Sequence, residues 1–103
     1  MPIFQSSNFE YGGETSYDSI RYIRLNNTPN HVALHQKLAA ISGAEAALVT
    51  SSGMSAITTA LLAFLKSGDH IISNYNVYGG TFRLIDKILL NMGFREFLFL
   101  KIT

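Results

Sequence analysis

The sequence predicts an α/β fold, with an extended N-terminal arm followed by a β-α-β-α-β parallel sheet. Three observations predict it. Residues 1–30 are polar, carry Gly12-Gly13 and Asn26-Asn27, and show no sustained hydrophobic period. From residue 31 onward, stretches with helical spacing alternate with short apolar runs. Those runs are nearly continuously apolar and are joined by short connections, the pattern of parallel strands covered on both faces.

Taken in order, Asn30 is placed to cap a first helix in which Leu34, Leu38 and Ile41 recur at i, i+4 and i+7, and Gly43 is placed to end it. Ala46–Thr50 reads as a short buried strand. The stretch VTSSGMSA, Val49–Ala56, then turns into a second helix. Met54, Ile57, Leu61, Leu62 and Leu65 give this helix a broad apolar surface, expected to be buried on more than one side. Lys66 meets its negative end and Gly68 stops it. Asp69 leads into a second strand, His70–Asn74, and Tyr75–Gly80 forms a loop. Thr81 caps a third helix with Ile85, Ile88, Leu89 and Met92 at i, i+3, i+4 and i+7. Gly93 ends it, and Glu96–Lys101 is the third strand. A three-stranded sheet that stops directly after a strand, at Lys101-Ile102-Thr103, is small and uncovered. The expectation is an arm over residues 1–30 and a partial α/β domain over 31–103, truncated at its C-terminus.

The composition narrows the function. The 103 residues are enough for one compact domain, and 48% apolar against 15% charged residues excludes a disordered chain. Excess apolar content in so short a chain implies surface covered by more chain or by a partner. The net charge is +1 and the eight Lys and Arg are scattered singly, so neither nucleic acid nor an anionic membrane is expected as a partner. With no Cys, disulfide frameworks and thiolate metal sites are excluded, and a cytoplasmic setting is compatible. His31 and His35 lie at i, i+4 without a third ligand and read as a helix face. The N-terminus has no basic and apolar leader, and no uncharged run reaches the roughly 20 residues of a membrane span. A soluble, unprocessed protein is expected.

In a parallel α/β sheet, ligands bind beyond the carboxyl ends of the strands, where helix N-termini point. Val49–Ala56 occupies such a position. At Gly53-Met54-Ser55 the first-turn amides lack intrahelical partners, and the helix macrodipole adds roughly half a positive charge. Gly53 permits close backbone approach, and Ser51 and Ser52 add hydroxyls, a combination suited to a phosphate monoester. The plainer alternative is that Ser52 only caps the helix and Gly53 only relieves the turn. The stretch matches neither G-x-x-x-x-G-K-[ST] nor G-x-G-x-x-G, so nucleoside-triphosphate and dinucleotide fingerprints fail. In the loop Asn76-Val77-Tyr78-Gly79-Gly80-Thr81, Tyr78 is either a stacking surface for a flat aromatic ligand or an ordinary loop aromatic, with Gly79-Gly80 supplying turn freedom. In the arm, alternation of side chains points Tyr22 and Arg24 the same way, towards one anion or towards solvent.

Four ordered stretches, PIFQSSNFEY, RYIRLNNTPN, LAAISGAEAALVTSSGMSAI and GDHIISNYNVYGGT, together resemble the Cys/Met-metabolism (trans-sulfuration) family of pyridoxal-phosphate enzymes. This family includes cystathionine γ-synthase, cystathionine β- and γ-lyases, methionine γ-lyase and O-acetylhomoserine sulfhydrylase. The resemblance covers nearly the whole chain. It implies the N-terminal part of the large domain of a fold-type-I, aspartate-aminotransferase-like enzyme with pyridoxal 5'-phosphate as cofactor. It further implies that Gly53 and Met54 offer backbone amides to the cofactor phosphate, and that Tyr78 stacks on the pyridine ring and assists leaving-group chemistry. Tyr22 and Arg24 then reach the phosphate of a neighbouring subunit in a homo-oligomer, a dimer or tetramer.

Two departures qualify it. The family commonly has Asn-Pro-Thr after Y-S-R, whereas this chain has Asn27-Thr28-Pro29 and Ile23, so a shifted turn with a retained Tyr22–Arg24 function is expected. The family's Schiff-base Lys, in a Ser-x-Thr-Lys-like stretch, its Asp beside the pyridine nitrogen and its substrate-carboxylate Arg have no counterpart here. Lys37, Lys66, Lys87 and Lys101 match no such motif. The resemblance therefore implies a fragment of a lyase or transferase acting on cystathionine, methionine or O-acylhomoserine-type substrates by β/γ-elimination or γ-replacement, with no complete catalytic set and so inactive alone. The alternatives are a naturally truncated, non-catalytic cofactor-binding or association module and, less favoured for want of fingerprint glycines, a small Rossmann-like nucleotide module.

Overall fold

The computed structural model describes residues 1–94 and 97–100. They form two compact units, Met1–Val49 and Thr50–Thr103.

In the first unit, the arm is not simply extended. It contains short 3₁₀ turns at Tyr17–Ser19 and Ile23–Leu25, and an antiparallel bridge between Asn8 and Tyr22. Helix α1 spans Pro29–Ser42. Its N-cap is Thr28, not Asn30, because Pro29 at the first helical position has its φ preset for a helix and has no N–H to satisfy. Asn30 instead exchanges two hydrogen bonds with the backbone of Phe4, at 2.7 and 3.1 Å. Gly43 ends the helix as expected, at φ +62°, with its amide on the carbonyls of Ala39 and Ala40. The chain then turns back, so Ala39 is the buried residue of α1, while Leu34, Leu38 and Ile41 remain exposed.

Ala46–Thr50 is not a strand, which corrects the expected β-α-β-α-β order. A strand exists only where a ladder partner takes its backbone groups. No ladder pairs this stretch among the described residues, and the Val49 carbonyl accepts from the Asn26 side chain at 2.8 Å.

In the second unit, helix α2 spans Gly53–Phe64, with Ser52 as its N-cap. It ends before Lys66: the Leu65 amide still reaches Leu61, but Leu65 itself is extended. Gly68, at φ +96°, serves the following turn, in which Lys66 N–H donates to the Asp69 carboxylate at 2.7 Å. Strand β1 is Ile71–Asn74 and pairs in parallel with β2, Phe97–Leu100, with Ile71 opposite Phe97. The parallel sheet is thus confirmed with two described strands. Glu96 and Lys101, the expected limits of the last strand, lie outside the described residues.

Helix α3 begins at Gly79 with Tyr78 as its N-cap, three residues before the expected cap, Thr81. It runs Gly79–Arg83 and continues as a π-helical segment, Leu84–Leu89. Hydrogen bonds to i+5 widen the turn, so Leu84 and Leu89 share a face. Leu84, Ile85, Leu89 and Phe94 form the buried core, packed by Met54, Ile57, Leu61, Leu65 and Ile71. Ile88 and Met92, expected on that face from an unbroken α period, are about half exposed. Helix α2 contributes one side only: none of its residues is fully buried, and Phe64 is exposed.

Candidate functional site

The VTSSGMSA turn leads into an open cleft of about 430 Å³ lined by Ser52, Gly53, Met54, Ile57 and Tyr78. Local hydrogen bonds build its floor. Thr50 Oγ1 donates to the Ser52 carbonyl at 2.9 Å, and Ser52 Oγ accepts the Ser55 amide at 3.1 Å. The Ser52 carbonyl accepts from Ala56 at 3.0 Å, which starts the intrahelical ladder. Among the described residues the Gly53 and Met54 amides have no acceptor. They stand in the first turn, where the helix dipole is positive.

Gly53 is not required by backbone angle, since its φ is not positive. A Cβ there would meet nothing within 4 Å, so the cleft beside these amides is open to a ligand. Tyr78, the N-cap of α3, borders the cleft and is 74% exposed as a residue. Free amides, an unfilled approach at Gly53 and an aromatic face are the groups needed to hold a phosphate monoester that carries a flat ring. The residues present therefore fit such a group.

The capping and anion readings of the turn are compatible in this geometry. Ser52 is occupied as the cap, which takes its hydroxyl acceptor for the protein, while the two preceding amides remain free. Ile57, read from the sequence as core, also lines the cleft. It sits one turn beyond Gly53 on the same helix face, and that i, i+4 relation was the signal available for it.

The Gly79-Gly80 pair does not supply turn freedom, because neither residue has positive φ. Gly79 has open space around it, whereas a Cβ on Gly80 would lie 2.7 Å from Tyr78 Cε1 and 3.1 Å from Met54 Sδ. Gly80 is the site residue that periodicity and turn chemistry miss.

In the first unit, Tyr22 and Arg24 do meet. Arg24 Nη2 donates to the Tyr22 hydroxyl, and the guanidinium carbon lies 5.0 Å from the ring centroid. The reason is not strand alternation but the 3₁₀ turn Ile23–Leu25. Asn27 shapes this turn, its Oδ1 accepting from Tyr22 N–H at 3.0 Å and its Nδ2 donating to the Ile20 carbonyl at 2.6 Å. Asn26 closes it at φ +57°, a left-handed angle that Asn tolerates. The site residues thus form two groups, Gly53, Met54 and Tyr78 on one cleft and Tyr22 with Arg24 on the arm.

Of the lysines, Lys37 and Lys66 are exposed and Lys87 pairs with Asp86 at 2.9 Å. Lys101 lies outside the described residues. No group of three or more His, Cys, Asp or Glu able to hold a metal occurs among the described residues. No helix among them is long and apolar enough to cross a membrane.

Comparison with known proteins extends the geometry. The family model described as Cys/Met metabolism PLP-dependent enzyme matches residues 1–99. A probable cystathionine gamma-synthase of Herpetosiphon aurantiacus is 41% identical over 93 residues, 90% of this chain and 28% of that protein. The cystathionine beta-lyase MetC of Bacillus subtilis is 38% identical over 93 residues, 90% of this chain and 23% of that protein. The crystal structure of metB from Corynebacterium glutamicum superposes with a TM-score of 0.86 at 35% identity, covering 98% of this chain and 26% of that one. The chain thus spans about a quarter of the length of these relatives. Its fold is that of the N-terminal region of a fold-type-I enzyme. A family match over residues 1–99 makes the chain a member of the Cys/Met-metabolism family of pyridoxal-phosphate-dependent enzymes.

Proposed function

We propose that these 103 residues supply part of the cofactor site of a trans-sulfuration enzyme, and that the cleft at the start of α2 holds the phosphate of pyridoxal 5'-phosphate. One observation carries the reading: the Gly53 and Met54 amides are free at a helix N-terminus that opens into a cleft bordered by Tyr78. Gly53 and Met54 bind the phosphate, and Tyr78 lies against the ring. When bound, this cofactor supplies an electron sink for a carbanion at the substrate's Cα.

Tyr22 and Arg24 form a phenol and guanidinium pair on the arm, and we assign them to the phosphate in a neighbouring subunit of a homo-oligomer. The Arg24 guanidinium retains donors beyond the one that meets Tyr22, as anion binding requires. The whole enzyme acts in the cytoplasm on cystathionine, methionine or an O-acylhomoserine-type substrate. A synthase and a β-lyase match this stretch at 41% and 38% identity, so β- and γ-chemistry are steered by residues outside it.

No lysine lines the described cleft, so the chain as it stands binds without turning over. Equilibrium dialysis of the chain against pyridoxal phosphate, with ammonia and thiol release measured on the same sample, tests both parts. Saturable binding without product is expected. Absence of binding overturns the cofactor assignment, and product release overturns the claim of inactivity.

A further inference from the structure

Gly80 stands in the first turn of α3 at a backbone angle open to any residue, yet it has no room for a side chain. A Cβ there would fall 2.7 Å from Cε1 and 3.3 Å from Cδ1 of Tyr78, and 3.1 Å from Met54 Sδ. Carbon–carbon contacts prefer about 3.5–4.0 Å, so the first of these distances is a clash. Gly79, its neighbour in the same turn, would meet nothing within 4 Å. The two glycines therefore differ in purpose, and only Gly80 is filled by another residue's ring.

Tyr78 is an exposed residue, so little packing holds its ring. Displacing it costs the fold little, and what a side chain at position 80 changes is the ring's place. Met54 Sδ crowds the same point, on the residue whose amide faces the cleft. We propose that Gly80 is a positioning residue: its missing side chain is the seat that keeps the Tyr78 ring folded back beside Met54, set to stack on a flat pyridine-class ligand held by its phosphate at Gly53-Met54. The proposal rests on the reading of Tyr78 as the ring-facing wall, and deepens it.

The test uses the full chain with its methionine methyl groups labelled for nuclear magnetic resonance, the Met54 signal being assigned by Met54→Leu. In the unaltered chain the Met54 methyl carries a ring-current shift that Tyr78→Ala removes. Gly80→Ala is expected to remove most of that shift, and Gly79→Ala to leave it. In a Tyr78→Ala background, Gly80→Ala is expected to leave only the small effect of its own methyl on the neighbouring Met54 signal and to cause no loss of melting temperature.

Pyridoxal phosphate and inorganic phosphate are titrated in parallel. Gly80→Ala should weaken the first by about three- to tenfold, the worth of an aromatic stack, and leave the second unchanged. An unmoved Met54 signal in Gly80→Ala, or an equal loss of stability with and without the Tyr78 ring, overturns the proposal. If Gly80→Ala alone does not fold, folding of the Tyr78→Ala/Gly80→Ala chain supports it and failure of both overturns it. Should the unaltered chain bind no pyridoxal phosphate, the cofactor reading fails while the Met54 signal still decides the role of Gly80.

Discussion

Ser52 Oγ accepts the Ser55 amide at 3.1 Å, and this one bond divides the first turn of α2 into a capped donor and two free ones. The cap belongs to the fold and the free amides of Gly53 and Met54 to the cleft.

The first prediction follows from that division. Ser52→Ala should lower stability by about 1 kcal/mol, and Ser52→Gly by only a few tenths. Chemical denaturation of the three chains checks the order. Equal losses would mean that Ser52 acts through something other than its capping oxygen.

A carboxylate at position 53 separates helix stability from anion binding, because the two respond with opposite signs. Gly53→Asp places a negative charge at the positive end of α2, expected to hold or raise stability by about 0.3–1 kcal/mol. The same charge repels a phosphate. Pyridoxal phosphate and inorganic phosphate should both bind at least about tenfold more weakly, roughly 1.4 kcal/mol. Calorimetry and dialysis on one preparation read both signs, and unchanged phosphate affinity would remove the cleft from the cofactor site.

Leu89 is fully buried and touches the centre of the core formed by Leu84, Ile85 and Phe94. Leu89→Ala should cost about 2–5 kcal/mol, from lost burial and the space left behind. Ile88→Ala, on a half-exposed residue of the same segment, should cost well under half as much. The contrast in denaturation midpoints tests the π-helical register, since an unbroken α-helix would bring Ile88 back towards the core.

What was legible in the sequence is what local chemistry decides. Gly43 ends α1 in the left-handed region because that angle excludes most side chains, and Ser52 before Gly53 marks a helix start without reference to the rest of the chain. Gly53 and Met54 were legible for the same reason, at a helix start, whereas Tyr78 was read in a loop before Thr81 and instead caps α3. What depends on a partner was not. Ala46–Thr50 has the composition of a strand, but composition cannot provide the ladder. The widened turn at Leu84–Leu89 moves Ile88 off the core by a register change that a 3.6-residue period conceals. Tyr22 and Arg24 were expected to point the same way by strand alternation, whereas they contact each other through a 3₁₀ turn held by Asn27, which alternation does not describe. The role of Gly80 depends on where another residue's ring lies, which no local rule reports.

The assignment of Tyr22 and Arg24 to a neighbouring subunit has a quantitative consequence. Arg24 is exposed, so Arg24→Ala should change stability by no more than about 0.5 kcal/mol while weakening pyridoxal phosphate binding. Gly53→Asp is expected to weaken it through the first-turn amides of α2. If both groups act within one chain, mixing the two variants restores nothing. If the arm serves its neighbour across a two-fold axis, a mixed dimer carries one site with both groups intact and one with neither. Random pairing of equal amounts makes about half the dimers mixed, so about a quarter of all sites should recover full affinity. Titration of the re-equilibrated mixture, beside each variant alone, measures that fraction. Recovery of no sites would place the arm in its own subunit's site or outside the site altogether.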